Sequence, residues 1–211
     1  MSTDHQRVRK RIRNFVLLSA VVPFSVAVVT TGTANAAAPE AATSSVQHAA
    51  PRGDPFEPLV NLVAQRLKTG DTVSSAKFGT PSPVDDPTRE KVELDSAAAM
   101  ATKQGLDPNA TRKIFSDQIQ ANKVVQYGLY SRWTSHPGQI PKTRADLNKI
   151  RTQLDTITVA LIRDLATTRT ARSGTGCRTQ LRSAERNVSR ADHFDALHVD
   201  AFHRALISIC T

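Results

Sequence analysis

The sequence predicts an all-α protein in which a single domain of about six helices follows an export signal. Apolar residues recur at steps of three and four from residue 54 onward, which is the spacing of a helix face that is buried in a core. Proline and glycine residues separate these stretches, and no run alternates apolar and polar residues as a strand would. With 39% apolar and 22% charged residues, the composition is globular, which excludes a disordered chain and a polytopic membrane protein.

The N-terminus has the three parts of a secretory signal peptide. Five Lys or Arg residues lie within the first 13 positions and precede the uncharged segment 15–29. That segment is shorter than the roughly 20 residues that a membrane-spanning helix needs, and Pro23 interrupts it, which argues against a retained anchor. Small residues then allow cleavage after Ala36 or Ala38. We therefore expect a signal over 1–36, a flexible leader over 37–53 and a secreted or periplasmic domain over 54–211, without stable membrane association after cleavage.

The net charge falls once the signal is removed. The whole chain has 28 Lys and Arg against 19 Asp and Glu, a net charge of +9. Residues 1–36 hold five of the basic residues and one of the acidic residues, so 23 and 18 remain and the charge becomes +5. The chain has one Trp and two Tyr, and no basic stretch is interleaved with aromatic residues. The charge therefore gives little support to the binding of nucleic acid or of an anionic surface.

The first two predicted helices are each followed by a glycine. The first begins near Asp54 and has its apolar stripe at positions 56, 59, 60, 63 and 67, and Gly70 is expected to end it. The second runs from 85 or 86 to 104, with Pro87 in the first turn, where a missing N–H costs nothing, and Gly105 after its end.

The third and fourth predicted helices are the longest. An Asp-Pro pair at 107–108 predicts the N-cap and first-turn proline of the third helix, which extends to about 134. Proline and glycine residues at 137–141 form a loop, and the fourth helix spans about 143–170 before the Ser-Gly-Thr-Gly sequence at 173–176. Two further helices fit residues 177–190 and 194–209.

Cys177 and Cys210 are the two cysteines of the chain. Both lie in the exported part, where an oxidising compartment favours one disulfide between them. That bond would join the last two helices and close a loop of about 34 residues, which is worth roughly 3.5–4 kcal/mol by the chain-entropy relation. Since the pair lacks Cys-x-x-Cys spacing, we expect a structural role rather than a redox or metal-binding one.

The sequence lacks the common motifs of catalysis and of phosphate or metal binding. It has no Gly-x-Gly-x-x-Gly, P-loop, His-Glu-x-x-His or Gly-x-Ser-x-Gly pattern, and nothing marks a Ser-His-Asp triad. His193, His198 and His203 are five residues apart, so on a helix each would point about 140° away from the last. These histidines could therefore not share one metal ion.

Charged and amide side chains fall within or beside the predicted apolar stripes. Arg66 lies at the stripe edge of the first helix, and Arg151 lies between two stripe residues of the fourth. The others are Asp86, Arg89, Glu90 and Glu93, which share a face of the second helix, and Asn122 and Gln126, which share a face of the third. Taken singly, such an arginine usually extends to solvent and such a charge run is usually solvated. Together they would suit a small, doubly anionic, hydroxylated ligand, because arginine pairs well with carboxylates.

Short segments in a fixed order carry a resemblance to a known family. They are Arg66-Leu67, Lys77, Asp86-x-x-Arg89-Glu90, Leu106-Asp107-Pro108, Ile114-Phe115-x-x-Gln118-Ile119, Gln126-Tyr127, Ser131-Arg132-Trp133, Leu147-Asn148-Lys149-Ile150-Arg151 and the late cysteine pair. Residues 54–210 thereby resemble the secreted, gamma-subclass of the all-helical chorismate mutases. Each segment is short, but their order and spacing together make the match specific.

The resemblance implies a helical bundle of chorismate mutase type II and an isomerase activity. Enzymes of this family convert chorismate to prephenate by a pericyclic (Claisen) rearrangement, which needs no nucleophile and no proton shuttle. Catalysis comes from holding the compact conformer of the substrate and from stabilising the negative charge that gathers on the ether oxygen as the C–O bond breaks. The resemblance implies neither a metal nor a cofactor, and the missing nucleophile and cofactor motifs agree with such a reaction.

The resemblance also implies roles for individual residues. Arg66 and Arg151 would hold the two carboxylates of the substrate, and Arg89 would support that binding. Lys77 and Gln126 would donate hydrogen bonds to the ether oxygen. Because an amide need not be protonated to donate, Gln126 implies activity that is roughly flat from about pH 5 to 8, whereas relatives with Glu at this position need the acid form.

The remaining matched residues would surround the ring of the substrate. Asn122 would lie beside the ring or a carboxylate, and Asp86 would lie at the edge of the site, near the hydroxyl or beside Lys77. The ring hydroxyl needs an acceptor, for which Glu90 fits the intracellular type and Glu93 fits the secreted type, where a Gln can occupy that position. The sequence leaves this choice open.

The resemblance further implies a homodimer with a complete active site in each chain, since Arg66 and Arg151 come from different helices of one chain. Two other functions stay open at this level. An exported helical binding module could use the same basic pocket for a small anionic ligand without turnover. Binding of nucleic acid or of an anionic surface would depend on the modest positive charge alone.

Overall fold

Seven α-helices and one 3₁₀ turn make up the part of the chain that the computed structural model describes, residues 53–210, and no strand occurs within it. The predicted signal and nearly all of the predicted leader lie outside the described residues. No helix in the described part is both long and apolar enough to cross a membrane. The all-α prediction is confirmed. The helices are α1 (Glu57–Lys77), α2 (Pro87–Lys103), α3 (Pro108–Ser135), α4 (Leu147–Thr167), α5 (Arg169–Ser173), α6 (Cys177–Ala191) and α7 (Ala196–Leu206), with the 3₁₀ turn at Pro137–Gln139.

Helix α3 lies at the centre of the domain. It packs against α1, α2 and α7, and α1 in turn contacts α4, α6 and α7. Three phenylalanines from distant parts of the chain are fully buried where these helices meet, namely Phe56 before α1, Phe115 in α3 and Phe202 in α7. Helix α2 packs against α3 as well, and α4 packs against α1 and α2.

Aspartate caps begin four of the helices. The side chain of Asp86 accepts a hydrogen bond from the backbone N–H of Arg89, and that of Asp107 accepts one from Ala110. Such caps satisfy N–H groups that have no partner within the helix. Asp146 and Asp195 cap α4 and α7 in the same way. The predicted starts of α2 and α3 are therefore confirmed.

The sequence predicts that Gly70 ends the first helix, and this prediction is wrong. Helix α1 continues for two further turns to Lys77. A Cβ atom on Gly70 would lie 3.1 Å from Cγ1 of Val125 and 3.3 Å from Nδ2 of Asn122, both in α3. The glycine is present because α1 and α3 approach each other closely there, and the extension places Lys77 on the same helix as Arg66.

The predicted fourth helix, 143–170, is shorter than expected and is followed by a separate turn of helix. Asp146 caps α4 at Leu147, and α4 ends at Thr167 before the short α5. The last helix is also shorter than the predicted 194–209, because Asp195 occupies its N-cap and α7 ends at Leu206.

The C-terminal helices are fastened by covalent and polar contacts. The predicted disulfide between Cys177 and Cys210 is present, with the two Cα atoms 5.9 Å apart. It ties the first residue of α6 to the segment that follows α7. The guanidinium of Arg172, which is 6% exposed, donates to the carbonyl oxygens of Ile209 at 2.8 Å and Leu165 at 3.2 Å.

An aspartate–histidine–aspartate cluster joins α1 to α7. Nε2 of His198 lies 3.1 Å from Asp71, and Nδ1 lies 2.6 Å from Asp195, which also pairs with Arg132 at 2.9 Å. The hydrogen bond to Asp71 is the main reason that the pKa of His198 is raised to about 9, although burial opposes it. The histidine is therefore charged at neutral pH and forms ion pairs with both carboxylates.

Candidate active site

A cavity of about 150 Å³ opens between α1, α2, α3 and α4. All nine residues that the sequence analysis selected lie on its walls, although they are spread over 86 positions from 66 to 151. They are Arg66, Lys77, Asp86, Arg89, Glu90, Glu93, Asn122, Gln126 and Arg151; the other lining residues are Val73, Val84, Gln118, Ile119, Lys123, Leu147, Ile150 and Leu154.

Arg66 is buried in the wall of the cavity, with 4% of its surface exposed. Its guanidinium forms an ion pair with Glu93, donates to Oγ1 of Thr158 at 3.1 Å and lies 5.4 Å from the centre of the Phe115 ring. Burial lowers the pKa of Arg66 to about 10, and the charge of Asp155 partly opposes this. The side chain remains a cation at neutral pH and does not extend to solvent, as an arginine at a stripe edge usually does.

Lys77 lies in the last turn of α1, and its ammonium points towards the loop before α2. Its Nζ donates to the carbonyl oxygen of Pro83 at 2.8 Å, which leaves two of the three N–H groups for other partners. Burial lowers the pKa of Lys77, Asp86 and Glu90 raise it, and Arg151 lowers it further. The ammonium is thus only partly solvated and faces charges of both signs.

The start of α2 forms an ordered charged wall. Oε1 of Glu90 accepts from the backbone N–H of Asp86 at 3.2 Å and pairs with Nζ of Lys123 at 2.7 Å. Lys123 also pairs with Asp85 at 2.7 Å, and Asp85 accepts a hydrogen bond from the hydroxyl of Tyr127. The Glu90 carboxylate is therefore held both by the helix start and by α3.

Lys123 is a cavity residue that the sequence analysis missed. It is a lysine on a helix, which is most often solvated, and its partners Asp85 and Glu90 are more than thirty positions away in the sequence. The signal that could have found it is its place between Asn122 and Gln126, both of which were selected.

Three amide side chains follow one face of α3 at four-residue steps: Gln118, Asn122 and Gln126. Nε2 of Gln126 donates to Oδ1 of Asn122 at 2.8 Å, and Nδ2 of Asn122 lies 3.3 Å from Oγ1 of Thr69. Oε1 of Gln126 and both amide atoms of Gln118 are buried without a hydrogen-bond partner. Gln118 entered the sequence analysis as part of the family pattern and not as a site residue.

The charges around the cavity leave an excess of positive charge. Five cationic side chains and three carboxylates line it, a difference of +2. Two of the cations, Arg89 and Arg151, are exposed, whereas Arg66 is buried. Cations at both the mouth and the interior suit a small dianion whose two charged groups are separated.

The lining residues include no Ser, Thr, Cys or His. The arrangement can bind anionic groups, donate hydrogen bonds from an ammonium and from amides, and restrict the conformation of a bound molecule. Such a cavity is suited to catalysis by positioning and electrostatic stabilisation rather than through a Ser, Cys or His nucleophile.

Comparison with known proteins gives consistent matches. The family model for chorismate mutase type II matches residues 57–127, which span α1, α2 and most of α3. The protein named secreted chorismate mutase from Mycolicibacterium smegmatis is 31% identical over 156 residues, which covers 74% of this chain and 86% of the relative.

Solved structures match over the same part of the chain. The chorismate mutase from Burkholderia phymatum has a TM-score of 0.71 and 38% identity, and the match covers 75% of this chain and 97% of that protein. The chorismate mutase from Burkholderia thailandensis has a TM-score of 0.70 and 33% identity, with 74% and 99% covered. The similarity thus covers nearly the whole of both solved proteins, including the helices that line the cavity.

Proposed function

Because the chain belongs to the chorismate mutase type II family, we propose that it is an exported isomerase that converts chorismate to prephenate. The observation that carries this proposal is the single cavity in which Arg66, Lys77, Gln126 and Arg151 meet. Relatives named secreted chorismate mutases support export. We propose cleavage after Ala36 or Ala38, a leader to residue 53 and a mature domain over 54–211, in the periplasm or outside the cell.

The two carboxylates of chorismate are bound by arginines on different helices. Arg66 holds one of them from α1, and Arg151 holds the other from α4, with Arg89 beside the mouth of the cavity as a further cation. The excess of two positive charges among the lining residues matches the charge of the substrate. Binding both carboxylates at once favours the compact conformer in which the reacting carbons are close, which lowers the entropic part of the barrier.

The ether oxygen receives hydrogen bonds from Lys77 and Gln126. Negative charge gathers on this oxygen only as the C–O bond breaks, so donors directed at it stabilise the transition state more than the substrate. Lys77 keeps two N–H groups beyond its bond to Pro83, and Gln126 keeps one beyond its bond to Asn122. Partial burial of Lys77 strengthens this interaction, because less water screens its charge.

The edge of the site is formed by the start of α2 and by Asn122. Asp86 lies close enough to Lys77 to raise its pKa, which supports a role in positioning that ammonium. Asn122 orients the amide of Gln126 through the 2.8 Å hydrogen bond. Glu90 and Glu93 are the carboxylates near which the ring hydroxyl would bind.

We further propose a homodimer with a complete active site in each chain and no requirement for a metal or cofactor. All nine selected residues line a cavity built from one chain, which supports a site that needs no residue from a partner. A rearrangement in which no electrons or groups leave the molecule agrees with the set of side chains in the cavity.

The direct test is turnover of chorismate. Residues 37–211 are purified with the disulfide formed, chorismate is added, and the loss of its ultraviolet absorbance is followed, with prephenate identified after acid conversion to phenylpyruvate. We expect turnover at enzymatic rates. Lys77→Ala should reduce kcat by at least about 10²- to 10³-fold, since it removes a charged donor to the developing oxyanion.

A matched control is Lys113→Ala, which removes an exposed lysine of α3 that does not line this cavity. It should leave kcat unchanged. A folded wild-type protein without turnover would contradict the proposal and would favour a binding module for a small anion, which calorimetry with chorismate would detect.

A further inference from the structure

Gln118 has an unusual position in the cavity wall. It is 3% exposed, it lies one turn before Asn122 on the same face of α3, and neither its Oε1 nor its Nε2 has a hydrogen-bond partner. A buried amide without partners is costly, because it has lost its hydrogen bonds to water and gained none. Buried polar groups are almost always paired, so an unpaired amide that lines a cavity is more readily explained by a ligand than by packing.

The other two amides of this wall each have at least one partner, although Oε1 of Gln126 is also unpaired. Gln126 donates to Asn122, and Asn122 contacts Thr69 in α1. The two acidic candidates for the ring hydroxyl are also engaged, since Glu93 pairs with Arg66 and Glu90 pairs with Lys123. Of the three buried polar side chains that line the cavity in the described part of the chain, Arg66, Gln118 and Gln126, only Gln118 has no hydrogen-bond partner on any of its polar atoms.

We infer that Gln118 binds the ring hydroxyl of chorismate, an inference that rests on the proposed function. Its Oε1 needs a donor, and the ring hydroxyl is the only O–H group of a substrate whose two carboxylates are ionised. Its Nε2 then offers a donor to a neighbouring substrate oxygen. One bound substrate satisfies both atoms of the amide.

Charge favours a neutral acceptor over a carboxylate at this point. The substrate is a dianion, and an additional carboxylate beside it would repel it unless a cation compensated. Glu90 and Glu93 each have such a cation, but a hydroxyl proton would have to compete with Lys123 or Arg66 for them. The amide of Gln118 accepts the hydroxyl proton without this competition.

The test begins with Gln118→Met, which keeps the length of the side chain and removes both unpaired atoms. The thermal midpoint should stay the same or rise, since no native hydrogen bond is lost. With chorismate, kcat/KM should fall roughly three- to tenfold, mainly through KM, because a neutral hydrogen bond to the substrate is removed. Gln118→Leu serves as a second variant if the first does not fold. The matched control is Gln120→Met, on the same helix but not in the cavity wall.

A substrate analogue that lacks the ring hydroxyl separates a direct contact from an indirect effect. With this analogue the wild type and Gln118→Met should have equal kcat/KM and equal dissociation constants in calorimetry, while they differ three- to tenfold with chorismate. An equal loss with both molecules would overturn the hydroxyl contact, and unchanged kinetics with chorismate would overturn the whole inference. Both of these results concern the variant and leave wild-type turnover of chorismate intact. Failure of the proposed function would instead be seen as an absence of wild-type turnover, so the two failures can be told apart.

Discussion

Two buried arginines show how the cavity differs from the C-terminal region. Arg66 is 4% exposed and Arg172 is 6% exposed, and burial lowers the pKa of both. Arg66 contacts side chains, namely Glu93, Thr158 and the ring of Phe115. Arg172 donates to two backbone carbonyls, those of Ile209 and Leu165.

The two arginines differ in whether a ligand could replace the partners of the guanidinium group. A side chain such as Glu93 can rotate, and Arg66 faces a cavity, so an anion can approach the guanidinium without disturbing the backbone. The carbonyls held by Arg172 are fixed parts of the chain, and one of them lies beside the disulfide, at the residue before Cys210. Burial of an arginine therefore does not by itself identify a binding residue. Its partners must also be able to move aside, and the side chain must face a cavity.

The largest effects should come from replacing each arginine with methionine. Arg66→Met should reduce kcat/KM by about 10²- to 10³-fold, because a buried charged contact to a substrate carboxylate is lost, and it should also lower the free energy of unfolding by roughly 1–3 kcal/mol, because Glu93 and Thr158 lose their partner. Arg172→Met should destabilise the fold to a similar extent, because it leaves two carbonyls without donors, while kcat/KM stays unchanged. Urea denaturation and steady-state kinetics on both variants measure this. A loss of kcat/KM in Arg172→Met as large as that in Arg66→Met would break the comparison.

The disulfide tests whether the C-terminal region supports stability alone. Replacing Cys177 and Cys210 together with serine should lower the free energy of unfolding by about 3.5–4 kcal/mol, since it opens a loop with a sequence separation of 33. Below the lowered melting temperature, kcat and KM should match the wild type. A change in KM of more than about threefold in the folded double variant would show that the disulfide also affects the shape of the cavity.

The amide at Gln126 gives a pH-dependent test of the cavity. Wild-type kcat/KM should vary by less than about twofold from pH 5 to 8, since an amide donates in the same way throughout this range. Gln126→Glu should be most active at acidic pH and lose roughly tenfold or more by pH 8, because the acid must be protonated to donate. Gln120→Glu, outside the cavity wall, should retain the flat profile. An unchanged profile in Gln126→Glu would contradict the assigned role.

The smallest expected effect concerns the His198 cluster of the C-terminal region. The pKa of His198 is raised from 6.5 to about 9 in the folded protein. The stabilisation of the fold by the charged imidazole is therefore complete below pH 6.5 and is lost as the pH rises through 9. The imidazole is partly solvated, so we expect a loss of only about 1–2 kcal/mol in the free energy of unfolding between these values. His198→Gln should remove most of this slope without affecting kcat. The same slope in the variant would assign the pH dependence to other groups.

Local signals in the sequence predict much of the fold, and the resemblance predicts which residues line the cavity. The Asp-Pro pairs at α2 and α3 predict the helix starts correctly because capping depends on neighbouring residues only. The nine residues selected through the resemblance all line one cavity, because the resemblance relates each of them to a position in a known helical site. Their roles in binding and catalysis remain predictions.

What local signals miss depends on contacts between distant segments. A glycine in this position usually signals the end of a helix, but Gly70 is required by the close approach of α3. The residues next to Gly70 in the sequence give no sign of that contact. Lys123 joins the site through Asp85 and Glu90, and the unpaired state of Gln118 is defined only by the absence of partners around it in the folded domain. Such features emerge only when the helices are packed.

Helix α3 also constrains the order of events while the chain is being made. A Cβ atom on Gly128 would lie 2.6 Å from the side chain of Leu197, so the far face of α3 fits closely against α7. The helices of the cavity precede Cys177 in the chain and are therefore synthesised, and on export delivered, before the segment that covers this face. For the time needed to deliver the last residues, the nascent chain presents a half-covered apolar helix, a state in which binding to a chaperone or to another chain competes with folding.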